Sequence, residues 1–141
     1  MAIVASHIID TSAAARMVHP EIAGPWLPLI SAGLVATCAP LDFEALYSMR
    51  TPTEYEQVRS DRAAAYEYLP TNDVDWCRAL EVRRALAQRS QVRAVGMPDL
   101  LIAAVAERHQ VILVHYDSDF DTIASITGQP TAWAAPWGSL R

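Results

Sequence analysis

The apolar positions of this chain gather into short unbroken runs set between helical stretches, and those runs mark a buried sheet. Val111 to Val114 is a continuous aliphatic segment, the pattern of a parallel strand covered on both faces. Ile3-Val4 and Ile8-Ile9, flanking Ala5-Ser6-His7, predict a first strand ending at Asp10, and Leu34 to Cys38 predicts a second. Tyr66 to Leu69 reads as a short strand before the turn Leu69-Pro70-Thr71-Asn72, and Thr131 to Ala134 as a last edge strand. The stretches between predict helices. Ala13 to about Val18, capped by Thr11 or Ser12 and closed by His19-Pro20, precedes Ile22 to Ala32, which Pro25 and Pro28 interrupt or start and Gly33 stops. Leu41 to Met49 follows Pro40. Pro52 to Tyr66, with Glu54, Glu56, Arg59 and Arg62 spaced as opposite charges, predicts a solvated helix. From Asp73 to about Gln88 the period turns Trp76, Ala79, Leu80, Val82 and Leu86 toward the core.

The most informative helix comes next. Leu100 to Ala106 is nearly all apolar, as in a helix buried on most sides, and Gly96 and Pro98 punctuate its entry. Asp99 is therefore its polar residue at the N-terminal end. Phe120 to Ile126, closed by Gly128, is the last helix. Strand, helices, strand, helices, strand is the order of an α/β fold with a mainly parallel sheet flanked by helices, in a single domain over residues 1–141.

Composition narrows the function classes. A 52% hydrophobic content supports a real core, and a net charge of −5 argues against holding nucleic acid by bulk charge. Every basic residue is arginine. Arg50, Arg83, Arg84, Arg89 and Arg93 can guide phosphates, though solvated charge is their simpler reading. Cys38 and Cys77, far apart and in apolar surroundings, predict buried free thiols in a reducing, cytoplasmic compartment. Asp10 cuts the N-terminal apolar run short, so neither a signal peptide nor a membrane span is expected.

Candidate chemistry lies at the ends of these elements. Ligands of open α/β sheets bind outside the carboxyl ends of the strands. Asp10 follows the first strand there, Asp117, Asp119 and Asp121 follow Val111 to Val114, and Asp99 opens a helix. Asp42 serves a helix N-terminus most simply, whereas Glu44, between Phe43 and Ala45, is harder to assign to solvent. Carboxylates about 5 Å apart repel by about 3 kcal/mol per pair at an effective dielectric of 20. A cation removes that cost, and an all-oxygen donor set suits magnesium, with manganese as a substitute. Histidine-based RNA cleavage would need His7, His109 or His115, each of which has a structural reading. A phosphatase of similar build is disfavoured because Asp10 is followed by Thr-Ser without a second aspartate, and the chain has no lysine.

Taken together, I-I-D-T-S at 8–12, the helix carrying Glu44, P-D-L-L-I-A-A at 98–104 and V-H-Y-D-S-D-F at 114–120 resemble a PIN-domain ribonuclease, more narrowly the VapC-type toxins of bacterial toxin–antitoxin pairs. The resemblance covers essentially the whole chain and implies a three-layer PIN-like domain. It implies that Asp10, Glu44, Asp99 and Asp117 form the catalytic acids. Asp10, Asp99, Asp117 and Asp119 would hold Mg2+, with Thr11 or Ser12 as an auxiliary hydroxyl. Tyr116-Asp117 stands where many relatives have arginine-asparagine or arginine-aspartate, which leaves open whether Asp117 or Asp119 is the main fourth ligand. The implied partners are an RNA substrate, a cognate antitoxin whose amphipathic segment fills an apolar groove lined by residues such as Trp26, Leu29 and Ile30, and a second copy of the chain in a homodimer. The competing expectation is a catalytically silent PIN-like module that binds RNA or protein.

Overall fold

A computed structural model describes residues 2–140. Five strands form one sheet: β1 (His7–Ile9), β2 (Val35–Thr37), β3 (Glu67–Tyr68), β4 (Ile112–His115) and β5 (Thr131–Trp133). Their order across the sheet is β3-β2-β1-β4-β5, and every neighbouring pair is parallel, not merely most of them. From β1 the chain builds outward through β2 to β3, then crosses back to lay β4 on the other side of β1. The switch point therefore lies between β1 and β4, where an open parallel sheet leaves a crevice at the strands' carboxyl ends.

Seven helices connect the strands: α1 (Thr11–Ala14), α2 (Pro20–Ser31), α3 (Ala39–Tyr47), α4 (Pro52–Ala65), α5 (Asp73–Gln88), α6 (Met97–Arg108) and α7 (Asp119–Thr127). Alternation along the strands separates two cores. Ile8, Ala36 and Leu113 join residues of α5, α6 and α7, while Ile9, Val35 and Val114 join Ala13 of α1 and Ile22 of α2. The result is three layers. All residues from Leu100 to Ala106 are buried, because α3, α5 and α7 pack around α6. Gly128 ends α7 at φ 70°, a left-handed cap that suits glycine.

Several local expectations change. Ile3 and Val4 stay exposed and outside β1, because the Val4 and Ala5 N–H groups donate to the Glu67 carboxylate, not to a strand. His19-Pro20 starts α2 and does not close α1, and α2 continues through Pro25 and Pro28. Trp26, Leu29 and Ile30 pack as half-buried residues against the second core. Trp76 and Leu80 are exposed, since the periodicity of α5 names a face without supplying enough structure to cover its edges. Asp42 accepts hydrogen bonds from the Thr37 hydroxyl and Arg62, tying α3 to β2 and α4. Both cysteines are free, but only Cys38 is buried, with its thiol pushed up to about 12 by burial; Cys77 is exposed. Among the described residues no helix is long and apolar enough to cross a membrane.

Candidate metal centre

The topology assembles the acids. Asp10 N–H donates to the Val114 carbonyl at 2.8 Å, continuing the β1–β4 ladder for one step and fixing Asp10 at the switch point. Asp10, and neither Thr11 nor Ser12, caps α1: its Oδ2 accepts the Ser12 N–H at 3.0 Å. Both hydroxyls are thereby free for other work. Thr11 donates to Glu44 Oε2 at 2.9 Å, and the Ser12 hydroxyl accepts the Tyr116 N–H at 2.9 Å, binding the segment after β1 to the segment after β4. Glu44 comes from α3, which follows β2. Asp99 is the third residue of α6, whose N-terminus opens at this edge of the sheet. Asp117 follows β4, and its Oδ1 accepts the Asp119 N–H at 2.9 Å as α7 begins.

Carboxylate oxygens of Asp10, Glu44 and Asp99 lie within 4.8 Å of one another, as do those of Asp99, Asp117 and Asp119. Asp99 belongs to both groups. All five acids anticipated from element ends and resemblance thus meet in one place, with Thr11 and Ser12 bracing them. Among the described residues none of the five makes an ion pair. The electrostatics follow from that isolation. Burial, then the charges of Asp10, Glu44, Asp117 and Asp119, push Asp99 up to about 7. Glu44 is raised by burial against the opposing Thr11 hydrogen bond, with Asp10 and Asp117 adding to the rise. Burial and the Asp117 charge raise Asp119.

Asp10 Oδ1 and Glu44 Oε1 are buried without a hydrogen-bond partner. Orphaned carboxylate oxygens carry the full desolvation cost of an acceptor, which a hard divalent cation, or a water bound to one, relieves. The donor set contains no sulfur and no imidazole, so the residues present fit such an ion.

The histidines stand outside this chemistry. His115 has no exposed surface; its Nδ1 accepts the Asp117 N–H at 3.2 Å, its ring packs on Phe120 and Trp133, and burial lowers its pKa. His7 packs edge-on against Trp26, and His109 caps α6 beside the Pro70 carbonyl. Sequence patterning missed one feature of the surroundings. An apolar cleft of 510 Å³ opens beside Glu44 between α3, α5 and α6, with Phe43, Trp76 and Met97 on its walls. Trp76, placed by the period of its helix toward the core, stands 41% exposed at this cleft.

Comparison with known proteins places the geometry in context. The sequence model of the PIN domain matches residues 7–126. Ribonuclease VapC21 of Mycobacterium tuberculosis is 40% identical over 133 residues, covering 94% of this chain and 96% of the relative. Ribonuclease VapC51 of the same species is 40% identical over 134 residues, covering 95% and 96%. The DNA-bound VapBC structure from Salmonella typhimurium contains a chain that superposes with a TM-score of 0.73 at 16% identity, over 93% of this chain and 99% of that one, a likeness of fold.

Proposed function

The chain belongs to the PIN domain family, and we propose that it is a magnesium-dependent endoribonuclease acting as the toxin of a toxin–antitoxin pair. The observation that carries this reading is the pair of buried, partnerless oxygens on Asp10 and Glu44 in a cluster with Asp99. Asp10, Asp99, Asp117 and Asp119 are the residues assigned to hold the ion, with manganese as a substitute. Bound magnesium supplies Lewis acidity toward a phosphodiester and lowers the pKa of a water.

The chain's own groups do the rest. Thr11 occupies one oxygen of Glu44 and leaves Oε1 as a directed acceptor, so Glu44 orients the attacking water and takes its proton. Burial raises its pKa against the Thr11 hydrogen bond, which makes it a stronger proton acceptor than an ordinary glutamate. Asp99 must lose its proton to serve as a ligand, which makes binding of the ion release a proton below about pH 7. The Ser12 hydroxyl accepts the Tyr116 N–H and so ties the segment that carries Asp10 to the segment that carries Asp117. Hydrolysis by water leaves a 5′-phosphate and a 3′-hydroxyl. The naming of its relatives as ribonucleases supports the activity; a cognate antitoxin, a homodimer and a cytoplasmic site of action are what the resemblance to VapC-type toxins implies.

The test is digestion of RNA by the purified chain. Cleavage is expected in magnesium and absent in excess EDTA, and Asp99→Asn lowers it on the order of 10³-fold while circular dichroism stays unchanged. Undiminished cleavage in EDTA would overturn the reading. Expression alone is expected to arrest growth, with relief by the cognate antitoxin.

A further inference from the structure

We propose that the cleft between α3, α5 and α6 is a stacking subsite for the unpaired nucleobase next to the scissile phosphate; this rests on the ribonuclease reading above. Glu44 is common to the cleft wall and the acid cluster, and Pro98 of the cleft adjoins Asp99 in sequence. A phosphate held at the acids therefore presents its neighbouring nucleoside to the cleft mouth. Phe43 and Trp76, from different helices, are 80% and 41% exposed there, although large aromatic side chains are ordinarily covered. Aromatic platforms of this kind bind single-stranded nucleic acid by base stacking.

Two further observations select a base over other occupants. Thr71 lines the cleft, and its Oγ1 is buried without a hydrogen-bond partner. A buried hydroxyl is normally satisfied, and a turn of the Thr71 side chain toward the cleft would let this one donate to or accept from the edge of a stacked base. Among the described residues no cationic side chain lines the cleft, and Glu44 repels anions from it. What enters is flat and neutral, with hydrogen-bonding atoms on its rim, while the phosphate stays outside at the acids. A purely aliphatic segment would leave Thr71 unsatisfied.

The experiment uses an RNA that the wild-type protein cuts at one mapped bond, and the same RNA with an abasic ribose on either side of that bond. Removing one of the two bases is expected to lower kcat/KM on the order of tenfold, carried by KM. Trp76→Ala and Phe43→Ala are expected to produce the same loss on intact RNA and to show no further loss on the abasic RNA, because the deletions remove the two halves of one contact. Thr71→Val changes the preference among bases at that position and leaves cleavage of abasic RNA alone. Trp76→Ala activity equal to wild type would overturn the proposal, as would equal losses on intact and abasic RNA, which mark damage to Glu44. Unchanged cleavage with weakened binding of a protein partner would assign the cleft to that partner. Should wild type cut no RNA, the ribonuclease reading fails on its own. Binding of the two RNAs in magnesium then decides the cleft: discrimination abolished by Trp76→Ala sustains it, and absence of discrimination sinks it.

Discussion

At the C-terminal end of α6, Arg108 donates to both oxygens of Asp75, at 2.7 Å and 2.9 Å, and the Asn72 N–H adds a third bond at 3.0 Å. At the N-terminal end of the same helix, Asp99 faces four other carboxylates, and no cation is at hand among the described residues. Asp75 is the less exposed, with 1% of its surface accessible, yet its pKa is lowered. Burial pushes it upward, but the Arg108 and Asn72 hydrogen bonds outweigh that push. For Asp99 burial and neighbouring charge act in the same direction, and the pKa rises. Burial alone thus does not identify a functional acid. What separates the two ends is whether the protein supplies the counter-charge or leaves that to a ligand.

Removing Asp75 should have the largest effect on stability. Asp75→Ala leaves Arg108 with only the Pro70 carbonyl and opens the capping box at the start of α5. Loss of one partner of a buried, hydrogen-bonded pair costs about 3–4 kcal/mol, moderated here because Arg108 keeps some contact with water. Urea denaturation is expected to shift its midpoint by that amount, with or without magnesium. A shift under about 1 kcal/mol would place Asp75 among ordinary surface acids.

The opposite end should respond oppositely. Magnesium at about 100 times its dissociation constant is expected to stabilise the wild type by about 2.7 kcal/mol, on the order of 5–10 °C in Tm. Asp99→Asn removes the most crowded charge, so in EDTA at pH 7.5 it is expected to melt above wild type, by about 1–2 kcal/mol after allowance for solvent screening. The gains do not add, since the substitution deletes a ligand through which the ion acts. Wild type indifferent to magnesium, or Asp99→Asn melting lower in EDTA, would make Asp99 a structural cap.

The two ends also differ in how far the sequence disclosed them. Asp10, Asp99 and Asp117 were legible because each abuts an unmistakable buried run, and the termini of such elements gather at one edge of a parallel sheet. Glu44 was less plain, since α3 has too few covered residues to fix its orientation, and only Thr11 and the cluster show its direction. The Asp75–Arg108 pair was not legible: 33 residues separate the partners, and only the packing of α5 on α6 brings them together. The exposure of Trp76 and Leu80 was hidden for a related reason, because periodicity identifies an apolar stripe but not the extent of its cover. The roles of Thr11 and Ser12 were exchanged with that of Asp10 at the cap, as all three types suit an N-cap and only the hydrogen bonds across the switch point decide among them.

The smallest effect, and the finest comparison, comes from pH in metal-free protein. An unfolded aspartate titrates near 3.9, and Asp99 in the folded chain near 7. Between these values the folded state binds the extra proton, so this group stabilises the fold fully below about pH 3.9 and loses that contribution as pH rises toward 7. Asp75 has the reverse sign: its lowered pKa gives stability present above the unfolded value and lost only as pH falls below it. His7 and His115, both lowered by burial, also favour the fold at higher pH and overlap the Asp99 window. Comparing wild type with Asp99→Asn in EDTA cancels them, because both proteins carry the same histidines. At pH 4.5 Asp99 is protonated in the folded chain and only a small part of its contribution is lost through ionisation of the unfolded chain, so the gap between the two melts should be small. By pH 7.5 wild type is expected to fall behind by about 1–2 kcal/mol, roughly 3–8 °C. Adding magnesium at pH 7.5 should then reverse the order, with wild type above Asp99→Asn. A gap that stays constant from pH 4.5 to 7.5 would mean that Asp99 gains no proton on folding, and its end of α6 would then resemble the Asp75 end.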